Sequence, residues 1–227
     1  MIKNVIIVIV SLLALSVPAQ PPAESQVTTS VVHGKVLRSP NPPPQRPKIQ
    51  RYRGRETALQ NDQMSDCACE PWRYAVVYLL SDSLPPITLP DEPPTMAQKD
   101  VMFAPSVMAV AVGTTVRFPN LDPFFHNVFS FSGAKKFDLG RYPKGESETV
   151  TFDKPGLVKI FCEIHASMRA YVHVLNTPYF AVADDNGRFS IPDVAPGVYT
   201  FHCWQENQPV LTKAITVGGD STAVEIR

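Results

Sequence analysis

Four side chains in two stretches of the sequence have the types and the spacing of metal ligands. Cys162, His165 and Met168 follow one another at every third position in Cys-Glu-Ile-His-Ala-Ser-Met, and His126 lies well upstream. Two imidazoles, one thiolate and a weak thioether make up the soft donor set of a mononuclear copper site. The sequence therefore predicts one copper ion held by His126, Cys162, His165 and Met168.

The residues on either side of the loop 162–168 alternate as β-strands do. Before the loop, Val158, Ile160 and Cys162 are separated by single residues, so a strand would place all three on its inward face. After the loop, residues 170–174 alternate in the same way. The pattern predicts a hairpin whose turn carries three of the four ligands.

His126-Asn127-Val128 followed by Cys-x-x-His-x-x-Met resembles the cupredoxin family of blue copper proteins. The short ligand loop is more similar to that of amicyanin than to that of plastocyanin. Residues 110–120 resemble the strand, glycine turn and strand that precede the first His in this family, and residues 152–156 resemble the turn before the Cys strand. The resemblance covers residues 95–175 and implies a Greek-key β-sandwich with one copper ion.

The resemblance also implies roles for neighbours of the ligands. In cupredoxins the His of the ligand loop reaches the surface through an apolar patch where partners dock, which implies such a patch around His165. The residues expected to form it are Pro123, Phe124, Phe125, Ile164 and Ala166. The family further implies that Asn127 ties the two ligand loops together.

Other uses of these side chains fit the pattern less well. Structural zinc sites take four Cys or His ligands, and Met is not a usual zinc donor. A nucleophile built from Cys162 and His165 would lack a third group to orient the imidazole. The remaining histidines, His33, His173 and His202, are expected to be solvated or hydrogen-bonded strand residues, the last two facing outward.

The first residues of the chain predict export from the cell. Residues 1–19 combine an early Lys3, an apolar run and small residues up to Ala19, which is typical of a cleaved signal peptide. The apolar run is too short to span a bilayer, so we expect no transmembrane segment in the mature chain. These features predict a periplasmic or extracellular protein.

Charge and composition narrow the fold class. The chain has 21 basic and 21 acidic side chains, so no net field favours nucleic acid as a partner. The 23 prolines cluster at 40–47 and 85–94, which indicates extended linkers. No segment of the mature chain has a sustained helical period, so the sequence predicts an all-β protein.

The segments outside the copper region resemble a second, smaller β-sandwich of the carboxypeptidase-regulatory-like, transthyretin-like kind. The resemblance rests on Asp184-x-x-Gly187-Arg188-Phe189, where Asn186-Gly187 predicts a hairpin. We expect a linker at 20–30, first strands at 31–80 with a Pro/Arg-rich insert at 39–73, a Pro-rich linker at 81–94, the cupredoxin domain at 95–175 and the remaining strands at 176–227.

This order predicts that the cupredoxin domain is inserted into the small sandwich. Neither flank alone is long enough to bury a core, which favours their pairing. The alternative is a cupredoxin domain with unrelated β extensions at each end.

Three cysteines remain after Cys162 is assigned to the metal. Cys203 shares a strand face with Tyr199 and Phe201, which predicts a buried thiol. Cys67 and Cys69 could form a strained local bridge, bind a metal or pair with another chain, and the sequence does not order these alternatives.

The predicted site fits a carrier of single electrons between redox proteins rather than an enzyme, because copper bound by these four ligands is left without an open position for substrate. Two other functions stay open at this point. One is an exported copper carrier or buffer, and the other is an interaction module with a vestigial copper site.

Overall fold

The structure is a computed structural model that describes residues 29–36 and 75–226. These residues form β-strands and no helix, which confirms the all-β prediction. Within these two ranges, no helix is long and apolar enough to cross a membrane. The predicted signal peptide, most of the linker 20–30 and the insert 39–73 with Cys67 and Cys69 lie outside the described residues.

The strands are short and follow one another with few intervening residues. In chain order they are β1 (Ser30–Val36), β2 (Val76–Leu80), β3 (Ala97–Lys99), β4 (Met102–Ala104), β5 (Val107–Ala111), β6 (Thr115–Pro119), β7 (His126–Phe131), β8 (Lys136–Tyr142), β9 (Ser147–Thr151), β10 (Gly156–Phe161), β11 (Arg169–Leu175), β12 (Phe180–Val182), β13 (Arg188–Val194), β14 (Gly197–Trp204), β15 (Leu211–Val217) and β16 (Ser221–Ile226).

Strands β3–β11 form a β-sandwich, here called the first sandwich. Five strands pair in the order β5-β11-β10-β7-β8, while β6 pairs with β9 and β3 with β4. Phe118, Phe152, Ile160 and Val172 meet in its core and are fully buried. Each such side chain contributes about 1.5–3 kcal/mol through its removal from water, so this core can hold the ends of β7 and β10 in place.

The other seven strands form the second sandwich, which has the sheets β13-β1-β16 and β12-β2-β14-β15. Strand β1 pairs with β13 and β16, and β2 pairs with β12 and β14. Both strands that precede the first sandwich in the chain therefore find their partners among strands that follow it. An inserted domain requires this pairing, and the domain boundaries themselves stay a prediction.

The Asn186-Gly187 turn is present, but it does not join two paired strands as predicted. Gly187 has a φ of 75°, and its N–H donates to the carbonyl of Asp184 at 2.9 Å. Strand β12 before the turn pairs with β2, whereas β13 after it pairs with β1. The Asn-Gly sequence correctly predicts a turn, but it does not determine which strands pair. The partners of β12 and β13 come instead from the distant N-terminal segment.

The two sandwiches touch through a small apolar cluster that includes Val76, Val107 and Trp204. His173 of β11 lies in this contact, only 8% exposed, with its ring 5.5 Å from that of Tyr78 and 5.6 Å from that of Trp204. The prediction that His173 faces outward was wrong, because the second sandwich covers that face of β11. Burial lowers the pKa of His173 to about 4.

Candidate metal centre

The predicted ligands lie at one end of the five-stranded sheet. Strand β7 begins at His126, β10 ends one residue before Cys162, and the two strands pair at Phe161 and Phe129. Strand β11 begins directly after Met168 and pairs with β10 in the predicted hairpin. The sheet core thereby fixes the positions from which the ligand loops start.

Three donor atoms converge at this end of the sheet. Nδ1 of His126 and Nδ1 of His165 lie 3.9 Å and 3.8 Å from Sγ of Cys162. The two Nδ1 atoms are 3.1 Å apart. Among residues 29–36 and 75–226, these three side chains form the one group of three or more His, Cys, Asp or Glu residues able to hold a metal.

The cluster is largely closed to solvent. His126 is fully buried, Cys162 is 4% exposed, and His165 is partly exposed. Met168 is 1% exposed and belongs to the same buried cluster as Cys162. The structure therefore buries Met168, the last residue of the loop, in the core, and its role as the axial ligand stays a prediction.

The donor set itself fits copper better than zinc. Two imidazole nitrogens and one thiol sulfur with a buried thioether in the same loop are the soft donors that copper prefers. A structural zinc site would be one Cys or His short of its usual four. A thiolate in a buried cluster also needs a positive partner, because an isolated buried charge is costly.

Asp122 is a neighbour of the cluster that the sequence analysis missed. Its Oδ2 lies 2.8 Å from Nε2 of His126, on the far side of the ring from the cluster. Burial alone would raise the pKa of Asp122, but hydrogen bonds from Val101, His126 and Asp100 together lower it. An acidic residue four positions before His126, between Leu121 and Pro123, was the available signal.

Asn127 connects the two ligand loops, as the family resemblance implied. Its Oδ1 accepts a hydrogen bond from the N–H of Glu163 at 3.2 Å. Glu163 directly follows Cys162 in the chain. The Nδ2 of Asn127 donates to Asp138 at 2.7 Å and to the carbonyl of Gly140 at 3.0 Å. These bonds hold the Cys loop against the start of β7.

The residues expected to form an apolar patch near His165 are exposed. Phe124, Phe125 and Ile164 are large exposed hydrophobic side chains, and Pro123 and Ala166 are exposed as well. The Phe124 ring lies 5.2 Å from the ring of His126 and 5.7 Å from that of His165. All five residues expected around His165 are therefore exposed, and Phe124 contacts both imidazole rings of the cluster.

The other described thiol, Cys203, lies in the second sandwich. It is buried with Tyr199 and Phe201 on one face of β14, as predicted, and it forms no disulfide. Burial raises its pKa to about 12. Cys203 is therefore a packing residue at neutral pH.

Family comparisons agree with the fold. Residues 94–175 match the family of copper binding proteins described as the plastocyanin/azurin family, which confirms the cupredoxin resemblance for this part of the chain. Residues 167–224 match a family described as polysaccharide lyase family 4, domain II. No curated protein matches the chain.

Solved structures similar to part of the chain include a nitrite reductase, an amicyanin and a purple cupredoxin. A Cu-containing nitrite reductase from Thermus scotoductus is 29% identical over 41% of this chain and 24% of its own, with a TM-score of 0.36. An oxidised amicyanin mutant is 24% identical over 38% of this chain and 85% of its own, with a TM-score of 0.36. A purple cupredoxin from Nitrosopumilus maritimus is 26% identical over 34% of this chain and 84% of its own, with a TM-score of 0.31. The match spans about a quarter of the nitrite reductase.

Proposed function

We propose that this protein binds one copper ion through His126, Cys162, His165 and Met168 and carries single electrons between redox partners. The observation that carries the proposal is the convergence of two Nδ1 atoms and one Sγ at the ends of paired strands. When bound there, copper supplies a couple between its monovalent and divalent states.

The protein framework around the donors suits this task. His126 and Cys162 leave the ends of neighbouring strands whose side chains pack into one core. Asn127 holds the two loops at a fixed separation through its bond to Glu163. Donors that are fixed in this way need little rearrangement when the charge between them changes, which favours rapid electron exchange.

His165 offers the route by which electrons would enter and leave. It is the partly exposed member of the cluster, the exposed Phe124 ring lies 5.7 Å from its ring, and exposed Ile164 precedes it in the chain. An exposed apolar surface next to a functional group is typical of a contact site for another protein. We therefore place the redox partner on this surface.

We propose a carrier rather than an enzyme, exported to the periplasm or beyond by residues 1–19. Asp122, the buried carboxylate beside the cluster, accepts the N–H groups of Asp100 and Val101, and its contact with His126 is at Nε2, on the far side of the ring from the donor atoms. It is therefore not placed to exchange a proton with a substrate at the donor atoms.

Copper loading of the purified mature protein tests the proposal. We expect an intense visible band from thiolate-to-copper charge transfer and a reversible one-electron wave in voltammetry. Cys162→Ser should abolish the band. Cys203→Ala, which removes the other described thiol, and His33→Ala, which removes an exposed imidazole, should keep it.

A copper(I) chelator present during voltammetry separates the remaining functions. A persistent reversible wave supports the electron carrier. Prompt loss of copper on reduction would show a copper carrier or buffer instead. Absence of copper binding by the wild-type protein would leave an interaction module with a vestigial site.

A further inference from the structure

The β3–β4 hairpin has a strained turn close to the metal centre. Its two central residues, Asp100 and Val101, have φ values of 54° and 57°. Two-residue hairpins with positive φ at both positions normally use Asn-Gly or Asp-Gly. A β-branched residue rarely adopts a positive φ, so the backbone at Val101 is strained in this turn.

The turn directs two successive backbone N–H groups at one carboxylate. The N–H of Asp100 donates to Oδ1 of Asp122 at 2.8 Å, and the N–H of Val101 donates to Oδ2 at 3.0 Å. Successive N–H groups in such a conformation form a concave binding site for an anion. Strained backbone that persists at one place suggests a function there.

The held carboxylate is aimed at a predicted copper ligand. The same Oδ2 atom lies 2.8 Å from Nε2 of fully buried His126, and Asp122 itself is 5% exposed. The other ring nitrogen, Nδ1, faces Cys162 and His165. Because a bond at one ring nitrogen decides where the imidazole proton sits, this contact places the proton on Nε2 and the lone pair on Nδ1.

The loop between the carboxylate and the ligand is fixed as well. Oδ1 of Asn120 accepts the N–H of Asp122 at 3.0 Å. Nδ2 of Asn120 donates to the carbonyls of Phe124 at 2.8 Å and Tyr142 at 3.0 Å. The distance from Asp122 to His126 is therefore set by buried hydrogen bonds on both sides.

We propose that Asp122, held by the Asp100–Val101 turn, is a positioning residue of the copper centre. It orients His126, keeps its proton on Nε2 and places a negative charge one imidazole away from the donor atoms. That charge favours a divalent ion over a monovalent one, so Asp122 lowers the reduction potential. The inference rests on the proposed binding of copper by His126.

The affinities of Asp122 variants for copper(II) and copper(I) test the effect of the carboxylate charge. Asp122→Asn keeps the shape of the side chain and removes the charge, and Asp122→Ala removes the contact. Loss of a group that orients a ligand typically costs 10–100-fold in metal affinity, and we expect about that loss for copper(II) and a smaller one for copper(I). If the affinity for copper(II) falls tenfold more than the affinity for copper(I), the reduction potential rises by about 59 mV for one electron.

A control variant isolates the effect. Asp153→Asn removes an exposed carboxylate that pairs with Lys135 outside the cluster, and it should leave both affinities and the potential unchanged. Equal losses for copper(I) and copper(II) in Asp122→Asn would show that Asp122 only holds the loop, and this would overturn the proposal.

Nitrogen-15 NMR of the wild-type imidazoles tests the proton position without any variant. In the copper(I) form, and in metal-free protein at pH 9, we expect His126 to carry a slowly exchanging proton on Nε2. A proton on Nδ1, or a rapidly exchanging one, would contradict the inference. If the wild-type protein binds no copper, the proposed function fails, while the metal-free spectrum still decides the proton position.

Discussion

His173 makes the contact between the two sandwiches sensitive to acid. Its ring lies edge-on to Tyr78 and Trp204, and its Nδ1 has no hydrogen-bond partner within the described structure. Burial lowers its pKa from 6.5 to about 4. Between these two pH values the unfolded chain therefore binds more protons at this position than the native protein does, and the native state loses stability as the pH falls.

The size of this loss follows from the two pKa values. At pH 5 the unfolded state holds the proton almost completely, whereas the native state holds it in about one molecule in ten. Relative to pH 7.5, His173 should cost the native state about 2 kcal/mol at pH 5. His173→Phe keeps an aromatic ring against Tyr78 and Trp204 and should remove this part of the pH dependence.

Urea unfolding of the wild-type protein and His173→Phe at pH 7.5 and pH 5 measures the effect. We expect the difference in unfolding free energy between the two proteins to change by about 2 kcal/mol over this range. His33→Phe, at an exposed position of β1, serves as the matched control and should show no such change. Parallel pH profiles for wild type and His173→Phe would refute the burial argument.

Three further predictions concern other contacts of the fold. Asn127→Ala leaves the N–H of Glu163 without its partner, so it should cost about 1–3 kcal/mol in denaturant unfolding and weaken copper binding. A Cβ at position 34 would collide with the carbonyl of Val224, so Gly34→Ala should cost about 3 kcal/mol, while Gly218→Ala, which meets open space, should be neutral in the same assay. Cys203 should resist iodoacetamide at pH 8 in the native protein and react in urea, as read by peptide mass spectrometry, because burial raises its pKa to about 12.

The hairpin that carries the predicted ligand loop could be predicted from the sequence because its information is local. Alternation before Cys162 sets the face of the strand, and the spacing of His165 and Met168 places them on the turn that follows. The same local pattern places Tyr199, Phe201 and Cys203 on one buried face. A periodic pattern of this kind reports which side of a strand meets a core.

Local pattern does not report what lies beyond the outward face of a strand. His173 occupies an outward position of β11, yet the second sandwich buries it through Tyr78 and Trp204. The hairpin predicted at Asn186-Gly187 was wrong for the same reason, because β12 and β13 pair with strands of the N-terminal segment and not with each other. Such partners are selected by contacts between residues far apart in the chain.

The sequence by itself predicted the donor set of the candidate metal centre, because that prediction depends only on the types and order of His126, Cys162, His165 and Met168. Only the tertiary structure decided what surrounds those donors. The carboxylate of Asp122 reaches His126 because a strained turn in a separate hairpin directs two N–H groups at it. Hydrogen bonds between distant segments depend on how sheets stack, and no spacing along the chain encodes them.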